Sequence, residues 1–164
     1  MGPHLVRRPV RDEDSAALIA LIAGCWSEYP GCVLDVDAEE PWLRSPATAY
    51  AGTGGAMWVV QRDGAGDGTV LACVGLMPHG GHAELKSLYV ARAGRRQGLG
   101  GRLVALVEAE AVARGATTVE LWSDTRFADA HRLYERLGYL RTGRRRELHD
   151  LSNTTEYHFA KPVG

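Results

Sequence analysis

The chain has 164 residues, 45% of them hydrophobic and 24% charged, with 19 basic against 20 acidic side chains and a net charge of −1. A chain of that length can bury a sizeable core, so it reads as one domain over residues 1–164, and the charge balance excludes a global field drawing it to nucleic acid or an anionic membrane. No run approaches the roughly 20 apolar residues of a membrane span, and the opening "MGPHLVRRPVRDEDS" has no apolar signal core.

The expected setting is therefore cytoplasmic. Cys25, Cys32 and Cys73 are odd in number and lack zinc-ligand spacing, so they read as reduced, packed thiols. Along the chain, "HLVRRPV" from His4 is a strand candidate. The stretch "DEDSAALIALIAGCWSEY" follows with acidic residues in its first turn and Leu18, Leu21, Ile22 and Cys25 at helical spacing. Pro30 to Gly55 mixes acidic residues, prolines and glycines and reads as a loop with one short helix around Glu39 to Ala51. Three strand-like runs, "AMWVVQR", "TVLACVGLM" and "HAELKSLYV", are separated by the turns "DGAGDG" and "PHGG", which predicts an antiparallel meander. Alternation along the third run puts Glu84, Lys86, Leu88 and Val90 on one side.

The stretch "GLGGRLVALVEAEAVARG" then places Leu99, Leu103, Leu106, Val107 and Ala111 on one helix face and stops at Gly115. A strand "TTVELWS", a helix "FADAHRLYERLG" and two strands, "YLRTGRRREL" and "TEYHFAKPV", complete the order. A strand followed by a crossover helix and another strand requires one parallel pairing in an otherwise antiparallel, mixed α/β sheet. The arginines from Arg144 suit a solvated edge strand. His79 and His82 have no third ligand in sequence, so no metal site is expected.

The joint "RRQGLGGR", Arg95 to Arg102, crowds arginine and glycine between a strand and a helix. Amides at a helix start have no intrahelical partner and carry the positive end of its dipole, so such a joint can bind phosphate. A glycine-permitted turn with solvated arginines is the plainer reading. The Walker pattern fails because Arg102 and Leu103 follow Gly101, and the dinucleotide fingerprint fails because Gly98, Gly100 and Gly101 give GxGG.

Arg95-x-x-Gly98-x-Gly100 resembles the Q/R-x-x-G-x-G/A signature of the GNAT superfamily of acetyl-CoA-dependent N-acetyltransferases. The resemblance extends through "ELKSLYVARAGRRQGLGGRL" and "VELWSDTRFADAHRLYERLGY", and the element order follows that family over nearly the whole chain. It implies a GNAT-like, mostly antiparallel sheet of about seven strands flanked by about four helices. It also implies transfer of an acetyl group from acetyl-CoA to the primary amine of a small molecule or protein, without a metal. Coenzyme A would lie on the backbone of Arg96, Gln97, Gly98, Leu99, Gly100 and Gly101, near Arg95, with its pantetheine arm paired to Leu88, Tyr89 and Val90. Family members are often dimers, so a homodimer is also implied.

Among catalytic candidates, Tyr134 matches the family tyrosine that protonates the departing sulfur, although its spacing also suits helical core. Glu84 occupies the position of a strand-borne carboxylate base, or forms a plain pair with Lys86. The Val90 amide is the expected oxyanion donor. Where many members carry Asn, seven residues before the tyrosine, this chain has Phe127; His131 is a candidate substitute, or a structural histidine. Two further readings stay open: an acyl-CoA sensor without catalysis, and an interaction domain whose basic joint meets an acidic partner. The acidic stretch with Asp35, Asp37, Glu39 and Glu40 lies where the family places its acceptor-selecting loop.

Overall fold

The computed structural model describes residues 4–64 and 68–164. The strands are β1 (Leu5–Pro9), β2 (Ala56–Arg62), β3 (Val70–His79), β4 (His82–Val90), β5 (Thr118–Asp124), β6 (Leu140–Glu147) and β7 (Thr155–Pro162). The helices are α1 (Ser15–Trp26), α2 (Val36–Glu39), α3 (Pro46–Gly52), α4 (Leu99–Ala113) and α5 (Ala128–Arg136). The strands form one sheet in the order β1-β2-β3-β4-β5-β7-β6, antiparallel except between β4 and β5. The expected mixed architecture and meander are present. Residues 65–67, inside the expected "DGAGDG" turn, and residues 1–3 of the N-terminal stretch lie outside the described residues.

The segment from Pro30 to Gly55 holds more helix than expected. Asp35 caps α2 by accepting from the Ala38 amide at 2.9 Å, a 3-10 turn spans Pro41–Arg44, and Pro46 opens α3. Proline at the first helical position loses no bond, since that amide has no intrahelical partner. These short elements pack through Leu43 and Tyr50 onto Leu18, Leu21 and Ile22 of α1, against one face of the sheet. On the other face, Leu99, Leu103 and Val107 of α4 cover Val74, Leu76 and Leu85. Both faces are closed by apolar burial, worth roughly 1.5–3 kcal/mol for each large side chain.

β4 departs from plain alternation. Its pairing with β3 runs from Gly75↔Lys86 to Cys73↔Tyr89, so β4 carries one extra residue, and Ser87 takes a left-handed φ of 53°. Such a bulge reverses which face later residues point to. Leu85 packs in the α4 core, and Leu88 and Val90 pack against that same core, while Tyr89 faces α1. Glu84 and Lys86 therefore do not share a side with Leu88 and Val90, because the expected alternation ends at Ser87.

A second irregularity lies on the other edge of β4. Pairing with β5 covers His82↔Thr118, Ala83↔Val119 and Glu84↔Glu120 and then stops, while β5 continues along β7 as far as Asp124↔Glu156. The two strands diverge, and among the described residues Leu85–Val90 have no strand partner on that side.

Gly75 lies beside the bulge, and a Cβ there would sit 2.4 Å from the Tyr50 hydroxyl oxygen, whose side chain is buried. Gly75→Ala is expected to destabilise the protein by about 1–3 kcal/mol through overpacking, read as a lower urea midpoint. An unchanged midpoint would show that Tyr50 can move away freely.

Candidate active site

The joint after β4 is shaped by two left-handed residues, Arg96 with φ 63° and Gly98 with φ 72°. Gly98 is the N-cap of α4, and a non-glycine residue there would carry the strain of that backbone region. The first helical bond runs from the Arg102 amide to the Gly98 carbonyl at 3.1 Å. The amides of Leu99, Gly100 and Gly101 consequently have no acceptor within the helix and point out from its positive end. Gly100 is also packed closely, since a Cβ would meet Leu133 of α5 at 2.9 Å, whereas Gly101 opens on free space.

The arginines of the joint take different roles. Arg95 turns to Glu28 beyond α1, donating to both carboxylate oxygens at 2.9 and 2.7 Å, and to the Val90 carbonyl at 3.1 Å. Hydrogen bonding to Arg95 holds the Glu28 carboxyl below its usual range. Arg95 thus ties α1, the end of β4 and the loop together. Arg102 donates to the Gln97 carbonyl at 2.8 Å, and Gln97 to the Ala93 carbonyl at 3.2 Å, so the loop is braced by its own side chains.

A cavity of about 570 Å³ runs from this joint along Leu88, Tyr89 and Val90 to Phe127 and Ala130. A second, of about 450 Å³, occupies the gap between β4 and β5 and is walled by Glu84, Trp122, Tyr134 and the segment around Trp42 and Tyr50. Leu88, Tyr89, Phe127 and Ala130 line both. Phe127, the N-cap of α5, packs on Tyr29 with ring centroids 4.7 Å apart, so an aromatic pair stands at the junction.

Val90 sits at that junction with its carbonyl taken by Arg95 and, at 3.6 Å, by the Cys25 thiol. The next amide, of Ala91, donates to Leu71 on β3 at 2.8 Å. Successive amides of a strand point in opposite directions, so the Val90 amide faces the open edge.

Tyr134 is 5% exposed, with its ring packed on Tyr139 and Phe159; no described residue hydrogen-bonds its hydroxyl, and because no fully buried side-chain oxygen or nitrogen lacks a partner, that hydroxyl opens on the cavity it lines. Burial pushes this phenol well above the usual tyrosine range. Glu84, 9% exposed, meets His79 Nε2 at 2.8 Å and Lys86 Nζ at 3.8 Å. Tyr134 and Glu84 wall the same cavity, one from α5 and one from β4.

Of the residues singled out in the sequence, Arg95, Arg96, Gly98 to Gly101, Leu88 to Val90, Phe127, Tyr134 and Glu84 line the two joined cavities, whereas the Gln97 side chain lines neither and turns to the Ala93 carbonyl. His131 does not reach them. It is 4% exposed, with Nε2 bonded to Ser123 Oγ at 3.1 Å and the Asp124 carbonyl at 3.0 Å, and burial lowers its pKa. Sequence reasoning missed Trp26, Trp42, Tyr50 and Trp122, which wall the second cavity, and Asp150 at its rim. Trp42 and Tyr50 lie in the stretch that showed no period, so only its aromatic content pointed to them. His79 and His82 stay apart from any metal set, since among the described residues no group of three metal-ligating side chains assembles. No helix among them is long and apolar enough to cross a membrane.

This arrangement has known relatives. The profile of the acetyltransferase (GNAT) family matches residues 18–139, and the chain belongs to that family. The fold also matches a GNAT-family acetyltransferase from Staphylococcus aureus Mu50, with a TM-score of 0.79 and 17% identity over 98% of this chain and 100% of that one. An acetyltransferase from Streptococcus agalactiae 2603 gives 0.79 with 18% identity, covering 99% of both chains. The PaiA N-acetyltransferase of Thermoplasma acidophilum, solved in complex with coenzyme A, gives 0.73 with 16% identity over 98% of this chain and 99% of that one. A search of curated protein sequences returns no match. As a member of this family the protein is an acyltransferase.

Because no described residue hydrogen-bonds the Tyr134 hydroxyl, Tyr134→Phe removes no hydrogen bond among them. Its stability is expected to stay within about 1 kcal/mol of the parent by urea denaturation. A larger loss would mean that the hydroxyl supports the fold.

Proposed function

We propose that the protein is an acetyl-CoA-dependent N-acetyltransferase that acts by direct attack of a primary amine within a ternary complex. The observation that carries this reading is the junction of the two cavities at Leu88, Tyr89, Phe127 and Ala130. One leads to bare helix-start amides and the other to a protonated phenol and a carboxylate.

The first cavity suits coenzyme A. The amides of Leu99, Gly100 and Gly101 would hold its pyrophosphate, helped by the exposed Arg96, and the open edge from Leu88 to Val90 offers strand-like bonds to its pantetheine arm. When bound, acetyl-CoA supplies the acetyl group as a thioester. The Val90 amide, facing the open edge, donates to the oxygen on which negative charge develops.

An alkylamine of pKa about 10.4 arrives as ammonium and must lose a proton before it attacks. Glu84 accepts that proton, and its bond to the half-exposed His79 ring gives the proton a route to solvent. Tyr134 gives its proton to the departing sulfur as the carbon–sulfur bond breaks, and the second proton that the nitrogen sheds on becoming an amide restores the phenol. Burial disfavours the phenolate, so the phenol stays protonated through the working pH range.

Transfer is tested by incubating the protein with acetyl-CoA and a panel of amines while following thiol release and product mass. At least one amine is expected to gain an acetyl group, and Tyr134→Phe should lower kcat about 100-fold while leaving acetyl-CoA affinity nearly unchanged. The parent should show no falling limb of kcat below about pH 10 that Tyr134→Phe abolishes. Absence of any acetylated product would overturn the assignment, and equal turnover in the variant would make Tyr134 a packing residue.

A further inference from the structure

The second cavity is unbalanced in charge, and the imbalance is localised. Five carboxylates line it, Glu40, Glu84, Asp124, Asp150 and Glu156, against two cationic side chains, Lys86 and Arg146. Three of the five are answered. Glu156 pairs with Arg146 at 2.7 Å, Asp124 with Arg126 at 3.0 Å, and Glu84 with His79 and Lys86. Glu40 and Asp150 are not. Among the described residues Glu40 accepts one bond, from the Trp42 indole at 2.6 Å, and Asp150 accepts two from Thr154, both at 2.7 Å. Neither has a cation within ion-pair distance.

The setting of Glu40 is aromatic. Trp42 packs edge-on to Tyr50 with centroids 5.6 Å apart, and Trp26 donates to the Tyr89 hydroxyl at 3.0 Å. All four rings line the cavity. The charges of Glu40 and Glu84 both act on the Tyr50 phenol, and Glu40 also acts on that of Tyr89, so the aromatic group spans from one carboxylate toward the other. Burial raises the Glu40 pKa, the Trp42 indole and the more distant Lys86 charge work against it, and the charges of Glu39 and Asp150 add to it. The segment is also fixed over the cavity. Glu39 accepts from the Leu151 amide at 3.0 Å, and Ser152 exchanges bonds with the Val33 amide and carbonyl at 2.8 and 3.1 Å.

A carboxylate among aromatic side chains, with a second one nearby and, among the described residues, no cation in ion-pair contact with either, can hold an ammonium group. This site is separate from Glu84, where the reacting nitrogen must become neutral. We propose that the acceptor is a small aliphatic diamine: one nitrogen reacts between Glu84 and Tyr134, and the other, as ammonium, is held by Glu40 with Asp150 against Trp42 and Tyr50. This rests on the acyl-transfer reading above. The roof over the cavity, pinned through Glu39 to Leu151 and through Val33 to Ser152, favours a free small molecule over a protein chain.

Three of the chain's four tryptophans, Trp26, Trp42 and Trp122, line the cavity, so occupancy can be read by tryptophan fluorescence without acetyl-CoA. The probes are 1,4-diaminobutane, 1-aminobutane and 4-aminobutanoate. The diamine is expected to bind at least about 10-fold more tightly than the monoamine, and the amino acid, whose carboxylate would face Glu40, more weakly still. Glu40→Gln keeps an acceptor for the Trp42 indole and should erase the preference, with an unchanged circular dichroism spectrum. Equal affinity for the diamine and the monoamine, or a preference that survives Glu40→Gln, would overturn the proposal. The ligand series on the parent protein decides even if the variant does not fold. Because binding is read without transfer, a failure to acetylate would refute the acyltransferase reading and leave this result standing.

Discussion

Everything at the site depends on β4 and β5 failing to remain partners. After Glu84↔Glu120 the two strands separate, although each keeps its antiparallel neighbour on the other side. A half-open edge in the middle of a sheet is costly, because buried backbone groups require partners. The structure meets part of that requirement with a side chain, Arg95 on the Val90 carbonyl. The remaining groups border the two cavities. The bulge at Ser87 turns Leu88 and Val90 toward the α4 core while Glu84 and Lys86 stay on the opposite face, so one strand serves both cavities.

The same divergence gives the helix start its position. α4 begins at Leu99, a short loop beyond the end of β4 at Val90, and Leu99, Gly100 and Gly101 line the same cavity as Leu88, Tyr89 and Val90. Gly100 lets α4 approach Leu133 of α5, and that approach sets the width of the passage between the two helices. The Arg95–Glu28 pair is partly exposed, so its contribution to stability is modest. Its value lies in geometry, since it joins α1 to the end of β4 and keeps the Val90 carbonyl occupied. The phenol of Tyr134 and the carboxylate of Glu84 then enter from opposite walls, and burial holds the phenol in its protonated form.

Much of this was legible in the sequence. Strand alternation and glycine turns gave the meander, helical spacing gave α1, α4 and α5, and the glycine spacing after Arg95 separated this joint from the other phosphate loops. The bulge was not legible, because nothing in "HAELKSLYV" marks Ser87 as an extra residue: the left-handed φ arises from the mismatch between two registers, which is a property of the pair of strands. The role of Arg95 was hidden for a similar reason, since Glu28 is 67 residues away in the chain. The wall of Trp42 and Tyr50 was obscured because short helices carry too few turns to show a period. His131 illustrates the opposite case, a polar residue near the site in sequence whose ring is absorbed by Ser123 and the Asp124 carbonyl.

The central claim is that the unpaired edge of β4 and the start of α4 form one continuous surface for acetyl-CoA. Amide hydrogen exchange with and without acetyl-CoA tests it most directly. The account predicts slowed exchange in two separate segments, Leu88–Val90 and Arg96–Gly101, at the same ligand concentration. Protection of neither segment, or of the helix start alone with the β4 edge still exchanging freely, would contradict it.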